Sequence, residues 1–366
     1  MPVLAALALA LVTTSSLSQS VTHTCQPLRG VNLAGAEFGE AFPGVFGRDY
    51  TYPSAQTIKH FSALGASVIR LPFAWPRLQR ELYAPLDREE LERLKRTVAL
   101  VHAEGMTLLL DPHDYARYKG QIIGSAAVPN AAFADFWRRL TEEFGGDPRT
   151  ILSLTNEPYD MPARQWLRAA NAAIAAIRQA GSQQLILVPG IHYSGAHSWQ
   201  SDWPGGNNGR IMRGVSDPAN NFAYDVHQYL DEDFSGRNLT CPRSADALRA
   251  LKSMTSWLKR YDKRAFLGEF GAAKTPKCLA GLASMAAYVN SQPNRWVGWT
   301  AWAAGDWWPQ DDPLSLQPYE DGREQEQMLA LKPYLACEAP TERGGSKTGS
   351  KAVGLPMDLG FESLRR

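Results

Sequence analysis

The chain is notable first for what it has little of. Its 38 Lys and Arg nearly cancel 37 Asp and Glu, leaving a net charge of +1 over 366 residues. That leaves no basic field to gather nucleic acid and none to hold an anionic membrane surface. Cysteine is scarce: Cys25, Cys241, Cys278 and Cys337, with no CxxC among them, which argues against structural zinc. There is no HExxH or comparable spacing to turn His113, His192, His197 and His227 into a metal-dependent hydrolytic centre. No Gly-rich phosphate loop follows a strand, which counts against an open, doubly wound nucleotide-binding sheet. The one notable apolar run, Val3 to Val12, is too short to span a bilayer.

That run is followed by mostly small polar residues, Thr13 to Ser20, so residues 1–20 read as a secretory signal peptide, although no Lys or Arg precedes the apolar core. In an exported chain an even number of cysteines suggests two disulfides, and three connectivities are open. From Pro340 onward Gly, Ser and Lys dominate, and 340–366 reads as a flexible tail. Between them, 21–339 shows no obvious internal boundary. Its 44% hydrophobic content is that of a globular protein.

Eight short apolar runs alternate with amphipathic segments. The strands are expected near Arg29–Leu33, Val68–Leu71, Met106–Pro112, Ile151–Leu154, Leu185–Val188, Phe222–Tyr229, Ala265–Glu269 and Val297–Trp302. Helical spacing is clear in Ser54–Leu64, Arg88–Glu104, Asn130–Phe144 (with Asn130 as N-cap), Met161–Ala180, Ala245–Tyr261, Cys278–Asn290 and Glu324–Leu335. Ser194–Asn220 lacks it and reads as a long irregular loop. Alternation of this kind predicts an α/β fold with a parallel sheet, and eight repeats over this length fit a (β/α)8 TIM barrel.

In such a barrel the reacting groups gather where strands end. The polar residues at the expected exits are Arg70, His113, Asn156, Glu157, His227, Tyr229, Glu269 and Trp302. Any one of them alone is ordinary; a strand-end His or Glu is more often structural. Together they would load one end of the barrel with charge for no stability reason. Two of the runs, Ile151–Pro158 and Ala265–Gly271, each deliver a glutamate. Paired carboxylates suit glycoside hydrolysis, where one protonates the leaving oxygen and the other acts as nucleophile or activates water. The 11 Trp and 13 Tyr add faces on which sugar rings stack, although most aromatics of a globular chain are core.

Thr-Asn156-Glu157-Pro, Gly-Glu269-Phe-Gly, Val-Ile-Arg70-Leu-Pro, Asp-Pro-His113-Asp-Tyr, Asp-Val-His227-Gln-Tyr229 and Gly-Trp-Thr-Ala-Trp302 stand in one order along residues 28–336. The set resembles the signatures of glycoside hydrolase family 5, the large cellulase family. The resemblance implies a (β/α)8 barrel, a retaining mechanism, and neither metal nor cofactor. It makes Glu157 the acid/base and Glu269 the nucleophile, with Arg70 supporting the nucleophile and His113, Asn156, His227, Tyr229 and Trp302 lining the reacting-sugar site. Asn32-Leu-Ala-Gly35 and Tyr224–Asp231 are most similar to the endo-β-1,4-glucanase branch. That branch often has Asn where Asp114 stands and Trp where Tyr193 stands, so Tyr193 is expected at a leaving-group subsite. It also implies Cys241 paired with Cys278, leaving Cys25 for Cys337. The expectation is therefore a secreted, extracellular, monomeric enzyme whose partner is a β-glucan polysaccharide. Other β-glycans (mannan, xylan, mixed-linkage glucan) and a non-catalytic carbohydrate-binding barrel stand as alternatives, the last disfavoured by the presence of both glutamates.

Overall fold

The structure, a computed structural model, describes residues 26–336. The expected signal peptide, the expected tail, Cys25 and Cys337 lie outside those residues. Eight strands form the barrel: β1 (Leu28–Leu33), β2 (Val68–Phe73), β3 (Thr107–Pro112), β4 (Thr150–Ser153), β5 (Ile186–Pro189), β6 (Phe222–His227), β7 (Ala265–Glu269) and β8 (Trp296–Ala304). Each pairs in parallel with its neighbours in sequence, and β8 returns to β1, so the sheet closes and leaves no edge.

Strand periodicity sorts the side chains into two populations. One residue from each strand fills the barrel interior: Leu28, Val68, Leu109, Ile151, Leu187, Ala223, Phe266 and Val297 form a separate buried cluster. The alternate positions, such as Ile69, Leu108, Leu110, Ile186 and Val226, belong to the larger core shared with the helices. Two residues beyond the interior plug, the same face carries Arg70, Asp111, Ser153, Asp225 and Gly268. Four of these are buried polar side chains. Gly30 is required on the same face, because a Cβ there would lie 1.7 Å from the Val68 carbonyl oxygen of the adjoining strand.

Helices α1 (Ala55–Ala63), α2 (Arg88–Ala103), α3 (Asn130–Phe144), α4 (Ala163–Gln179), α5 (Asn208–Ile211), α6 (Ser244–Arg260), α7 (Pro276–Asn290) and α8 (Glu326–Leu335) follow β1 to β8 in turn. Their starts follow local chemistry: Ser54 accepts from Thr57 N, Asp87 from Glu90 N, and Thr275 from Cys278 N ahead of Pro276. The stripe Leu91, Leu94, Val98 and Val101 of α2 is buried. Two expectations are corrected. Asn130 is the first helical residue of α3, after Pro129, and does not cap it. The Ser194–Asn220 segment contains α5 and a 3-10 turn, Met212–Gly214; α5 spans four residues, too few for helical periodicity to register. Among the described residues, no helix is long and apolar enough to cross a membrane.

Cys241 and Cys278 are disulfide-bonded, tying the loop between β6 and α6 to the first turn of α7, and both are buried. With 37 residues of sequence separation, the bond should add about 2–4 kcal/mol by restricting the unfolded chain. The double variant Cys241→Ala/Cys278→Ala should lose that amount in urea unfolding; an unchanged midpoint would assign the bond no part in stability.

Candidate active site

Everything at the mouth of the barrel is arranged around the Arg70 guanidinium, which is fully buried on β2. Its Nη1 donates to Asn32 Oδ1 (2.8 Å) and Glu269 Oε1 (2.7 Å). Its Nη2 donates to Asn156 Oδ1 (2.8 Å) and pairs with Asp111 Oδ2 at 2.9 Å. A buried cation is costly, and here four oxygens from four other strands or their exits compensate it. Asn32 is itself held by donating to the carbonyls of Gly268 (3.0 Å) and Ala301 (3.1 Å).

Because Arg70 fixes the Asn156 oxygen, the Asn156 amide nitrogen faces His113 Nε2, at 3.1 Å. That contact needs Nε2 as acceptor, so the His113 proton sits on Nδ1 and donates to Asp111 Oδ2 at 2.8 Å. Burial opposes a second proton on the ring, but Asp111 and Glu269 outweigh burial and raise the His113 pKa above its ordinary value; the Asn156 amide at Nε2 pulls the other way. The His113 ring also stacks on Trp302, centroids 5.4 Å apart at 18°.

The two glutamates sit in different surroundings. Glu269 closes β7, 4% exposed, accepting from Arg70 on one oxygen and from the Tyr229 hydroxyl (3.0 Å) on the other. Burial opposes its ionisation, but His227, Arg70 and His113 outweigh burial and hold its pKa at about 2. Glu157 lies four residues past β4, on left-handed backbone with φ +33°. Its Oε1 meets His227 Nδ1 at 2.6 Å. Burial first, and the charge of Glu269 after it, raise the Glu157 pKa above the ordinary carboxylate value, against the pull of His227. His227, at the end of β6, is pushed up to about 10: burial resists the proton, but Glu269, Asp225 and Glu157 together favour it. Gly268 permits this arrangement, since a Cβ there would stand 2.2 Å from Asp225 Oδ1 and 3.0 Å from His227 Nε2.

The ligating atoms of Glu157, His227 and Glu269 lie within 4.8 Å of one another. Such spacing could hold a metal, but the trio suits one poorly: a cation there would face Arg70, 2.7 Å from Glu269, and an imidazole that Glu269 keeps protonated. The four histidines weighed for a metal centre are not brought together as one among the described residues.

The cleft above these groups holds about 500 Å³ and is lined by Tyr115, Tyr193, Trp203, Phe234 and Trp302 besides the glutamates. Tyr193 is half exposed and stacks on Tyr159 (5.0 Å, 9°), whose ring also carries the Arg117 guanidinium. Trp302 lies within β8, two residues before its end, rather than at the exit. All nine residues singled out in the sequence for catalysis or substrate contact surround this mouth. Those not singled out include Asn32, Asp111 and Asp225 beneath the cleft and Tyr115, Trp203 and Phe234 in its lining. Spacing could have found Asp111 and Asp225, which stand two residues after interior Leu109 and Ala223, as Arg70 stands after Val68.

Comparison with known proteins now decides the family. The model of the Cellulase (glycosyl hydrolase family 5) family matches residues 23–305. The chain belongs to glycoside hydrolase family 5. It is 35% identical to "Endo-beta-1,4-glucanase B" of Aspergillus niger over 308 residues, 84% of this chain and 89% of that one. The solved structure of XacCel5A in complex with cellopentaose superposes with a TM-score of 0.83 at 44% identity, covering 84% of this chain and 99% of that one. An endo-beta-1,4-glucanase from Xanthomonas axonopodis pv. citri superposes at 0.82 with 41% identity, covering 84% and 98%. As a family 5 glycoside hydrolase, the chain matches most of the length of each relative.

Two pH consequences follow from the site. Glu269, depressed from 4.5 to about 2, contributes stability that is full above pH about 4.5 and lost as pH falls through about 2. His227, raised from 6.5 to about 10, contributes stability that is full below pH about 6.5 and lost as pH rises through about 10. Tyr229→Phe removes one donor to the Glu269 carboxylate, so the acid limb of kcat/KM should move up by about one pH unit. An acid limb at the same pH in the variant would show that Tyr229 does not stabilise the charge.

Proposed function

We propose that this protein is a secreted, monomeric endo-β-1,4-glucanase that cleaves internal bonds of β-glucan with retention of configuration, Glu157 serving as acid/base and Glu269 as nucleophile. The observation that carries the reading is the pairing of two carboxyls, with ligating oxygens within 4.8 Å, that prefer opposite protonation states. Retaining enzymes hold the pair about 5–5.5 Å apart, whereas inverting ones leave about 6.5–9.5 Å for a water. Glu269, kept anionic, attacks the anomeric carbon while Glu157 gives its proton to the departing oxygen. The glycosyl–Glu269 ester then forms, and Glu157, now a carboxylate, takes a proton from the water that hydrolyses it. His227 holds Glu157 through Nδ1. Asn156 and His113, fixed by Arg70 and Asp111, present polar edges to the reacting sugar, with Trp302 as its floor.

The substrate class rests on the names of the relatives, endo-β-1,4-glucanases from a fungus and a bacterium. Export is supported by the N-terminal apolar run and by the Cys241–Cys278 bond, which forms in oxidising compartments. We assign Cys25 to Cys337 as a second bond: Arg29 donates to the Ala336 carbonyl, which draws the neighbouring chain segments together. The assigned catalytic domain is 21–339, between a signal peptide and a C-terminal tail.

Reducing ends should appear faster from carboxymethylcellulose and barley glucan than from mannan or xylan; the reverse order would overturn the substrate assignment. The first product seen by NMR should be the β-anomer. Glu157→Ala should still form the glycosyl-enzyme from an activated aryl cellobioside, stall, and be rescued by azide. Glu269→Ala, lacking a nucleophile, should show no burst with either substrate. A burst from Glu269→Ala and none from Glu157→Ala would reverse the two roles.

A further inference from the structure

A second hollow lies at the same end of the barrel, clear of the cleft. It holds about 280 Å³, and no residue lining it also lines the cleft. Its walls are the β1–α1 loop, the segment past β2 and the start of α2. All three stand where the strands exit, on the face that carries the chemistry. The tip of the β1–α1 loop leaves Phe42, Val45 and Phe46 exposed by 40%, 48% and 45%. Large apolar side chains grouped in the open mark binding surfaces. This tip is also held in place. Arg77, itself buried, donates to the carbonyls of Ala36 (2.5 Å), Phe38 (2.8 Å) and Pro43 (2.8 Å). Val45 N donates to Asp49 Oδ2 (2.7 Å), and Asp49 N donates to the Val45 carbonyl (2.9 Å). The Arg77 guanidinium lies 5.5 Å from the Phe42 ring centre and that of Arg93 4.7 Å from the Phe46 ring centre. Each ring has a fixed cationic backing, and its residue still stays nearly half exposed.

We propose that this hollow is a second β-glucan site, which holds a stretch of the polysaccharide outside the cleft, with Phe46 in its wall and Phe42 beside it as faces for the sugar rings. The lining selects a neutral ligand rich in hydroxyls. Arg77, Arg80 and Arg93 stand against Asp87, Glu89 and Glu90, three cations with three carboxylates, so nothing there attracts net charge of either sign. Two pairs are closed, Arg80–Asp87 at 2.6 Å and Arg93–Glu90 at 3.1 Å. Between them such groups supply both donors and acceptors for sugar hydroxyls. Aromatic rings beside paired polar groups are also what the cleft presents. Eleven residues line the hollow, against about 20–30 a side for a stable protein interface, which argues against a second copy of the chain as occupant. The identification of the ligand as β-glucan rests on the substrate class proposed above. A polymer held at both places dissociates more slowly, while the reacting groups are left untouched.

The experiment compares Phe42→Leu/Phe46→Leu with the wild type. Leucine keeps apolar bulk and loses the flat face. Partition onto insoluble cellulose should fall about 10-fold with the loss of two stacking rings. On cellopentaose, whose cleavage depends on the cleft alone, kcat/KM should change by less than about 2-fold, and the melting temperature should stay within about 2 °C, since both side chains are exposed. Phe42→Tyr/Phe46→Tyr, which keeps the rings, should partition as the wild type does. An unchanged partition in the leucine variant, an equal fall on cellopentaose, a lower melting temperature, or a tyrosine variant as weak as the leucine one each overturns the proposal. A wild-type dimer that the leucine variant breaks in sedimentation overturns it too, by assigning the patch to a second copy. So does a wild type that cleaves cellopentaose but does not bind cellulose. Failure of the wild type to cleave cellopentaose would instead overturn the endoglucanase reading.

Discussion

One guanidinium sets the geometry of the barrel mouth. Arg70 reaches from β2 to Asn32 on β1, Asp111 on β3, Asn156 beyond β4 and Glu269 on β7, so a single planar fork ties five of the eight strands at the end where chemistry occurs. Lysine could not replace it, because three rotating donors on one nitrogen cannot meet four fixed oxygens in a plane. The consequences run outward from there. With its oxygen on Arg70, Asn156 turns its amide to His113, which in turn directs its other nitrogen to Asp111. The tautomer of a histidine is thus decided two residues away from it.

The same cation separates the two glutamates chemically. Both are acids of the same type in one cleft, and solvent exposure alone would scarcely distinguish them. Glu269 has Arg70 and Tyr229 on its oxygens. Glu157 has only a histidine, and that histidine is shared electrostatically with Glu269, 3.6 Å from its Oε2. One anion is stabilised by its bonds and the other is disfavoured by burial and by its neighbour's charge. A reaction that needs one protonated and one ionised carboxyl finds both states at one pH.

Much of this could be read in the chain, and the parts that could not share a cause. The alternation of strands and helices and both glutamates were legible because period and local composition carry them. The two-residue step from an apolar interior position to a polar one, Val68 to Arg70 and Ala223 to Asp225, was also present, yet Asp111 on the same step reads as an ordinary strand end. Its role exists only through contacts to Arg70 and His113, which come from elsewhere in the chain. Tyr115 enters the cleft from a left-handed backbone that a tyrosine does not announce. The short α5 is set by the contacts it makes, Asn208 bonding to Ile191 at the exit of β5, rather than by any helical stripe.

Left-handed residues recur around the cleft: Tyr115 and Ala116 after β3, Glu157 after β4, and His192, Tyr193 and Ser194 after β5. Each non-glycine residue there is held at a cost of about 1–2 kcal/mol relative to ordinary backbone. Thermal endurance and turnover therefore pull these positions in opposite directions. A lineage kept hot and never asked to cut its substrate should drift first at these loops, toward glycine and asparagine, while the barrel beneath stays as it is.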